Sequence, residues 1–390
     1  MNLNDLKNKT ILLFGKPRAF SQDEFNSQLK FHNISTCREF NDDVKIVVDG
    51  KMMTPYEQNE SDALYEKYSK NVEFISIDIF EKELAKSLDE DTLLMSLKLS
   101  HDKNRLKSFI QNTMISDTLF FKLVKMFDWK NEDFFENDDN RDVSAAFILR
   151  FYENIERNHN VQYATTGFVH LVGQTKNAEL LSAISLLEPM KFHPEIEATI
   201  AISKYCDEVM QKRYFKQAKD TTLEALSLNE KLSSELVEEF TNDEKLGLNV
   251  AKSIKLDNEL YEMFGDFKIG LALNESLSLD MQEKLLNLED DEISYALSLN
   301  QSLEKSVLLK LLNSTNEDIK KAIYENQTTP VEILEKAYKN SEFLEQLAKN
   351  ISTPVEILYQ LQLDSRYERY VKLNSGFGKH IQQENIGWLV

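Results

Sequence analysis

The stretches NQTTPVEIL (residues 326–334) and NISTPVEIL (residues 350–358) are nearly the same sequence, 24 positions apart. Each opens with an asparagine, has a threonine–proline pair from the fourth residue, and ends with Ile-Leu. Two nearly identical stretches are expected to adopt the same local structure. A fixed period of roughly 20–50 residues is typical of stacked supersecondary units. The two stretches therefore predict a repeat architecture in the C-terminal part of the chain.

An asparagine that ends a short apolar segment extends this pattern. Five such asparagines follow one another at intervals of 26, 26, 24 and 24 residues: Asn274, Asn300, Asn326, Asn350 and Asn374. A further one, Asn229, stands 45 residues before the first of these. This interval fits two units if the asparagine expected between them, around Ser253, has been replaced. The repeats are thus predicted to fill residues 217–390.

The start of one unit can be interpreted physically. Thr329 is predicted to be a helix N-cap that accepts from a free backbone amide, and Pro330 suits the first helical position because it has no N–H to leave unpaired. Glu332 would complete a capping box, and Thr353 and Glu356 repeat the signal. A single helix pair cannot bury its own apolar face, whereas stacked pairs can. The pattern therefore predicts a stack of helical pairs.

These openings resemble the leucine-rich-repeat variant family, whose units have about the same length. The matching positions are Asn326–Thr329–Pro330–Leu334 and Asn350–Thr353–Pro354–Leu358, and Asp364 matches a later aspartate of the family pattern. The resemblance implies a superhelix of alternating α-helices and shorter 3₁₀-like helices. The arginine common in the family's second helix is missing, so a helical-pair stack of the HEAT or armadillo type stays open as an alternative.

Residues 1–85, at the N-terminus, have a different pattern of apolar segments. Three apolar runs, KTILLF (9–14), VKIVVDG (44–50) and VEFISI (72–77), alternate with helical segments. Strands that alternate with short helices indicate a small, largely parallel sheet covered by helices. In its order of elements this region resembles a BRCT domain. Phosphopeptide-binding BRCT domains have Ser or Thr before the first glycine. Phe14 precedes Gly15 here, so the resemblance does not imply phosphopeptide binding.

The turn after the first strand is a candidate anion contact. Gly15, Lys16 and Arg18 lie between a predicted strand and a predicted helix, where backbone amides and cations can meet an anion. The turn is neither a P-loop nor a dinucleotide fingerprint, because the further glycines are missing. An ordinary strand-to-helix turn is the alternative interpretation.

Residues 86–215 are predicted to be helical throughout, with one interruption. The acidic stretch 131–142 lacks periodicity and is interpreted as a solvent-exposed loop. Alternating acidic and amide side chains from Asp138 suggest a calcium loop, but Val143 stands where that loop needs glycine. The predicted fold class is therefore mainly α, with a small N-terminal BRCT-like α/β domain, a helical middle region and a C-terminal α-solenoid of roughly 24-residue repeats.

Charge and cysteine content narrow the functional classes. The 390 residues have a formal net charge of −20, which opposes direct binding to nucleic acid and to anionic membrane surfaces. No apolar run is long enough to span a membrane, and the N-terminal residues do not resemble a signal or transit peptide. The only cysteines, Cys37 and Cys206, lie far apart, which favours a reducing compartment. We therefore expect a cytoplasmic location.

The repeat region is the predicted partner-binding part. Residues 217–390 contain 18 Lys and Arg against 31 Asp and Glu, and the acidity peaks at Glu289, Asp290 and Asp291. Most of this acidity is interpreted as a solvated face that keeps the apolar stack soluble. The alternative is that these residues dock a basic protein partner. The apolar end around Trp388 is predicted either to cap the last repeat or to dock on another chain.

An enzyme is not favoured by the motifs. The chain lacks His-Glu-x-x-His, Cys-x-x-Cys and Gly-x-Ser-x-Gly, so we predict no catalytic residues, cofactor or metal. The expected function is a non-enzymatic scaffold or adaptor for protein partners. Two alternatives stay open: a genome-maintenance adaptor that contacts DNA or DNA-bound proteins through the BRCT-like domain, and an enzyme with its site near His170, between the N-terminal domain and the helical region.

Overall fold

The computed structural model describes residues 3–152, 165–217 and 219–383. It is mainly helical with a small parallel sheet near the N-terminus, and that coarse part of the predicted fold class is confirmed. The chain divides into two compact units, Met1–Ile196 and Glu197–Val390. The predicted domains 1–85, 86–215 and 217–390 are finer than this division and stay predictions. Within the three described ranges, no helix combines the length and the apolar character needed to cross a membrane.

The sheet of the first unit has four parallel strands in the order β2-β1-β3-β4. The strands are β1 (Thr10–Phe14), β2 (Ser35–Cys37), β3 (Val44–Asp49) and β4 (Glu73–Ser76). The central pair aligns Ile11 with Ile46 and Leu12 with Val47, all four fully buried, as expected for strands covered on both faces. The sequence predicts β1, β3 and β4, but β2 is too short to form a recognisable apolar run.

Three helices accompany the sheet: α1 (Gln22–Phe31), α2 (Pro55–Tyr68) and α3 (Ile77–Lys86). Fully buried Phe25 of α1 packs against Phe80 of α3, with ring centroids 5.8 Å apart. The reciprocal capping box is found on α2, where Thr54 and Glu57 bond to each other's backbone amides. The loop before α1 is bonded to α3, because the backbone amides of Arg18, Ala19 and Phe20 donate to a carboxylate on that helix.

The remainder of the first unit is helical. Its helices are α4 (Glu90–Ser100), α5 (Lys103–Ile110), α6 (Asp117–Val124), α7 (Asp138–Phe151), α8 (Thr165–Gln174) and α9 (Ala178–Ser185). The solvent-loop prediction for 131–142 is wrong in two respects. Phe134 is fully buried and stacks on Phe168 at 4.4 Å, and α7 begins at Asp138. One apolar anchor and an N-cap at Asn137 give no helical periodicity, which explains the error.

The second unit is built from short helices. The division between the units falls within α10 (Pro194–Ile202). The helices that follow are α11 (Glu208–Gln217), α12 (Asp220–Ser227), α13 (Ser234–Phe240), α14 (Glu244–Ser253), α15 (Asn258–Met263), α16 (Lys268–Ala272), α17 (Leu279–Leu286), α18 (Asp291–Leu299), α19 (Lys305–Leu311), α20 (Glu317–Glu325), α21 (Val331–Lys339), α22 (Leu344–Lys349), α23 (Val355–Gln362), α24 (Glu368–Leu373) and α25 (Ser375–Gln383). The even-numbered helices α12 to α24 pack side by side in chain order, and we call them the ladder helices.

A buried asparagine follows six of these seven helices. These residues, the asparagine ladder, are Asn229, Asn274, Asn300, Asn326, Asn350 and Asn374. Each side-chain Nδ2 donates to two backbone carbonyls 20 to 28 residues earlier, at 2.7–3.0 Å. Each Oδ1 accepts from the backbone N–H two residues later. The amide groups thus join one ladder helix to the end of the preceding one.

The ladder changes at α14, because no ladder asparagine follows this helix, which ends at Ser253. Ile254 caps this helix in the extended conformation that Asn300, Asn326, Asn350 and Asn374 have as C-caps, and it is buried. Its carbonyl accepts from Asn274 at 2.7 Å, so the backbone keeps its part of the ladder although the side chain is apolar. The first ladder bonds reach back to the carbonyls of Ala201 and Ser203.

The predicted threonine caps are wrong. The residues before α21 and α23 are Pro330 and Pro354, and neither helix has a side-chain cap bond. Thr353 is buried, and its hydroxyl donates to the carbonyl of Leu347, 2.7 Å away in the preceding helix. Thr329 makes the equivalent bond. The threonine hydroxyl therefore ties the turn to the preceding helix, because it serves as a donor and not as an acceptor.

Candidate functional site

The solvent-facing side of the ladder helices contains the largest candidate site. A cavity of about 840 Å³ extends from α16 to α22. The residues just before four of the six ladder asparagines line it: Leu273, Leu299, Glu325 and Lys349. Because each asparagine is turned into the core, its neighbour on the chain is turned towards the cavity. The ladder therefore sets which positions of each repeat face this site.

The end of the cavity at α16 and α18 is apolar. Ile269, Tyr295 and Leu299 are 38%, 42% and 41% exposed. Tyr295 and Leu299 are four residues apart on α18 and so lie on the same face. The small buried side chains of Ala296 and Ala322 also line the cavity, where larger ones would fill it. Exposed apolar side chains gathered in a concave site are typical of binding surfaces.

A second cavity of about 580 Å³ reaches from the start of α14 to the start of α18. It shares Ile269 and Glu292 with the first, and we call the two together the groove. The charged residues of the groove are seven carboxylates and three lysines: Glu244, Asp266, Asp290, Asp291, Glu292, Asp318 and Glu325, with Lys268, Lys321 and Lys349. The groove therefore carries an excess of negative charge.

Two of the three lysines already have carboxylate partners. Lys321 pairs with Asp318 at 3.1 Å, and Lys349 contacts Glu325 at 3.0 Å and Glu345 at 2.8 Å. The hydrogen bond from Lys349 lowers the pKa of Glu345. The lysines thus pair with carboxylates at the α20–α22 end, whereas Asp291 and Glu292 at the start of α18 form no ion pair within residues 219–383. The apolar and the acidic parts of the groove meet on α18.

The predicted docking residues fall in different places. Asp290 is the N-cap of α18, accepts from the amides of Glu292 and Ile293, and lines the smaller cavity. Asp291 is exposed and lines the larger one. Glu289 lies in the preceding turn with a left-handed backbone, φ 55°, outside the lining of both cavities. Trp388 lies outside the described residues.

The predicted anion contact is engaged by carboxylates of the chain itself. The backbone N–H of Gly15 donates to Glu57 at 3.1 Å, and the Arg18 guanidinium pairs with Asp78 at 2.7 Å. Lys16 is exposed, and its backbone pairs with that of Lys51. The geometry accounts for these contacts without an external anion, and anion binding here stays a prediction.

Buried Glu81 completes this turn. Its carboxylate accepts from the backbone amides of Arg18, Ala19 and Phe20 at 2.9–3.0 Å. Burial raises the pKa of Glu81, and the three amide bonds oppose that rise. An internal carboxylate thus occupies the place that an external anion would take at the start of α1.

The titratable side chains that line the groove are carboxylates, lysines and one tyrosine, with neither histidine nor cysteine among them. In the part of the chain that the structure describes, no group of three His, Cys, Asp or Glu side chains is arranged to hold a metal ion. His170 lies exposed on α8 of the first unit. The arrangement of the groove suits contact with another molecule through apolar and charged surfaces.

Sequence reasoning missed the apolar residues of the groove. Ile269 and Tyr295 stand five residues before a ladder asparagine, and Lys321 and Glu345 stand at the same place in the next units. A comparison of the units at this position would have shown that two apolar residues give way to charged ones. This variation between units is the sequence signal that could have identified the groove.

Comparison with known proteins adds no assignment: the chain matches no family model, no curated protein and no solved structure.

Proposed function

We propose that the protein is a non-enzymatic interaction scaffold whose groove binds a basic, amphipathic segment of a protein partner. The observation that carries this proposal is the meeting, on α18, of exposed apolar side chains and carboxylates that form no ion pair within residues 219–383. Tyr295 and Leu299 provide the apolar anchor points, and Asp291 and Glu292 lie one turn away on the same helix. A few side chains, most often Trp, Tyr and Arg, carry most of the binding energy of an interface, so Tyr295 is the expected anchor.

The charge of the groove indicates the chemistry of the partner. Seven carboxylates against three lysines favour Lys and Arg side chains on the partner and repel acidic surfaces. Apolar residues between those cations would cover Ile269, Tyr295 and Leu299. A segment with only cations would leave this apolar surface exposed to water, so the amphipathic pattern follows from both parts of the groove together.

The architecture proposed for this scaffold is an α-solenoid of the leucine-rich-repeat variant type. The asparagine ladder and the row of ladder helices support it, because each unit contacts mainly its neighbours in a solenoid. A BRCT-like N-terminal domain is proposed as well. The four-stranded parallel sheet of order β2-β1-β3-β4 supports that part.

A peptide titration tests the proposed function. The probe is a fluorescent 14-residue peptide of Leu and Lys in amphipathic helical order, and its counterpart has Glu in place of Lys. We expect saturable binding of the Leu/Lys peptide alone, weakened at least fivefold by Tyr295→Ala and more by D291K/E292K. Higher salt should weaken binding only in part, because the apolar contacts are not screened.

Charge alone must not explain the result. The matched control is E332K/E335K, which makes the same charge change at exposed positions of α21, outside the groove. Circular dichroism confirms that each variant is folded. Equal weakening by the two charge-reversed proteins, or no effect of Tyr295→Ala, would show non-specific attraction and contradict the proposal.

A further inference from the structure

A separate cavity in the first unit is apolar inside. Its volume is about 510 Å³, within the range of small-molecule sites. It lies between the α4–α5 turn, the segment after α6 and the start of α7. The apolar side chains that line it are Leu97, Leu106, Met126 and Phe127. Such a cavity suits the ring or chain of a small organic molecule.

The polar residues around this cavity are unequally paired. Four exposed lysines line it, and none of them forms an ion pair within residues 3–152: Lys98, Lys103, Lys125 and Lys130. The three aspartates there have partners of their own. Asp102 accepts from the amide of Arg105, Asp128 accepts from the amide of Lys130, and Asp139 pairs with Lys107 at 2.6 Å. Four lysines against three aspartates give the lining of the cavity a small excess of positive charge, in a chain of net charge −20.

Helix dipoles explain two of these lysines and not the other two. Lys98 lies in the last turn of α4 and Lys125 is the C-cap of α6, where a cation is favourable. Lys103 is the first residue of α5, where the dipole disfavours a cation. Lys130 has a left-handed backbone, φ 54°, which is uncommon for a residue with a side chain. Folding alone does not account for Lys103 and Lys130.

Lys103 and Lys130 line the same cavity as Asp139. The hydrogen bond from Lys107 lowers the pKa of Asp139, and the charges of Lys130 and Lys103 lower it further. Asp139 itself is in the first turn of α7, and the N-termini of α5 and α7 both begin at the cavity. Two cations and the N-termini of α5 and α7, which Asp102 and Asn137 cap, thus lie at the same cavity.

We propose that this cavity binds a small organic anion. The ring or chain of the anion packs against Leu106, Met126 and Phe127. The carboxylate, sulfonate or phosphate group of the anion pairs with Lys103 and Lys130. The proposal concerns the first unit alone and does not depend on the groove.

Titration of the full chain with 1-anilinonaphthalene-8-sulfonate, an aromatic anion that fluoresces when bound, tests this site. We expect one saturable site per chain, displaced by phenyl phosphate but not by phenol. The variant K103A/K130A should bind the dye at least fivefold more weakly. The control K336A/K339A removes the same charge from exposed positions of α21 and should bind as the unchanged protein does.

Phe127→Ala tests the apolar half of the site and should also weaken dye binding, with circular dichroism and urea unfolding showing that the fold is kept. If Phe127→Ala does not fold, Met126→Ala replaces it. Three results would overturn the proposal: no saturable binding, equal affinity in the two double-lysine variants, or displacement by phenol as effective as by phenyl phosphate.

Discussion

The side-chain Nδ2 of Asn350 donates a 2.7 Å hydrogen bond to the backbone carbonyl of Asn326, 24 residues earlier in the chain. A second bond reaches the carbonyl of Tyr324 at 2.9 Å, and the Oδ1 atom accepts from the amide of Ser352. Both asparagines are buried. One amide side chain thus bonds to three backbone groups. The bond between the two asparagines joins equivalent positions of neighbouring units, so it spans one repeat interval.

Replacement of Asn350 should therefore be costly. Asn350→Ala removes the side-chain partner of the Tyr324 carbonyl and of the Ser352 amide, and one of the two bonds to the Asn326 carbonyl, which also accepts from the amide of Thr329. We expect the free energy of unfolding to fall by about 3 kcal/mol. Urea unfolding followed by circular dichroism measures the change. Asn340→Ala is the control, because Asn340 is exposed and caps α21 through its backbone. Equal stability of the two variants would show that the ladder bonds do not hold the stack.

The sequence predicts the place of the ladder but not its bonds. Asn300, Asn326 and Asn350 are visible as landmarks because they recur at fixed intervals. Their partners are carbonyls of the preceding unit, which become neighbours only when the units stack. Thr353 shows the same limit, because the Thr-Pro pair suits both a cap acceptor and a donor to the previous helix, and only the fold decides between them.

The candidate site follows the same rule. Asp290 and Asp291 attract notice in the sequence because charge is visible there. Tyr295 and Leu299 look like core residues, since an apolar pair four residues apart is the usual sign of a buried face. On α18 the core side is filled by Ile293 and Leu297, so this second apolar pair is left exposed. A single helix pattern does not show which of two apolar faces is covered.

Two buried glutamines add a second kind of inter-unit bond. The Nε2 of Gln282 donates to the carbonyls of Leu277 and Ser302, and its Oε1 accepts from the amide of Glu304 at 2.9 Å. Gln211 makes the same three contacts at the same chain offsets. Each lies eight residues after a ladder carbonyl, where other units have a buried leucine: Leu308, Leu334 and Leu358.

Gln282→Leu should cost stability although leucine fits this position elsewhere. The change keeps the volume of the side chain but leaves the Ser302 carbonyl and the Glu304 amide without a partner, so we expect a loss of about 1–2 kcal/mol. Urea unfolding measures it, with Gln301→Leu at an exposed position as the control. A Gln282→Leu protein as stable as the unchanged one would mean that the glutamine bonds add nothing to the apolar packing.

The pH dependence of stability should show the burial of Glu81. Because burial raises its folded pKa above the ordinary value of 4.5, the folded state holds this proton more tightly than the unfolded chain does. The contribution of Glu81 is therefore fully present below about pH 4.5 and is lost as the pH rises through the folded pKa. The stability difference between the unchanged protein and Glu81→Gln should fall over that window.

Glu57 provides the control of opposite sign. Bonds from the backbone of Thr54 and of Gly15 lower its pKa, so its contribution is present above about pH 4.5 and is lost as the pH falls through the folded pKa. Urea unfolding from pH 3 to 8 (about half a unit per step) gives both curves. A difference for Glu81→Gln that rises with pH, as expected for Glu57→Gln, would show that the three amide bonds outweigh burial.

The corrected role of Thr353 separates the effects of two neighbouring residues. Thr353→Val keeps the shape of the side chain and removes the hydroxyl that donates to Leu347, leaving that carbonyl without this bond, and we expect a loss of about 1 kcal/mol. Thr353→Ser keeps the donor and should recover part of the loss. In a capping box, Glu356 would bond to the backbone of Thr353, and its replacement would also destabilise the helix. No such cap bond is formed at the start of α23, so Glu356→Ala should leave the unfolding midpoint unchanged. A loss for Glu356→Ala comparable to that for Thr353→Val would restore the capping interpretation of the Thr-Pro signal.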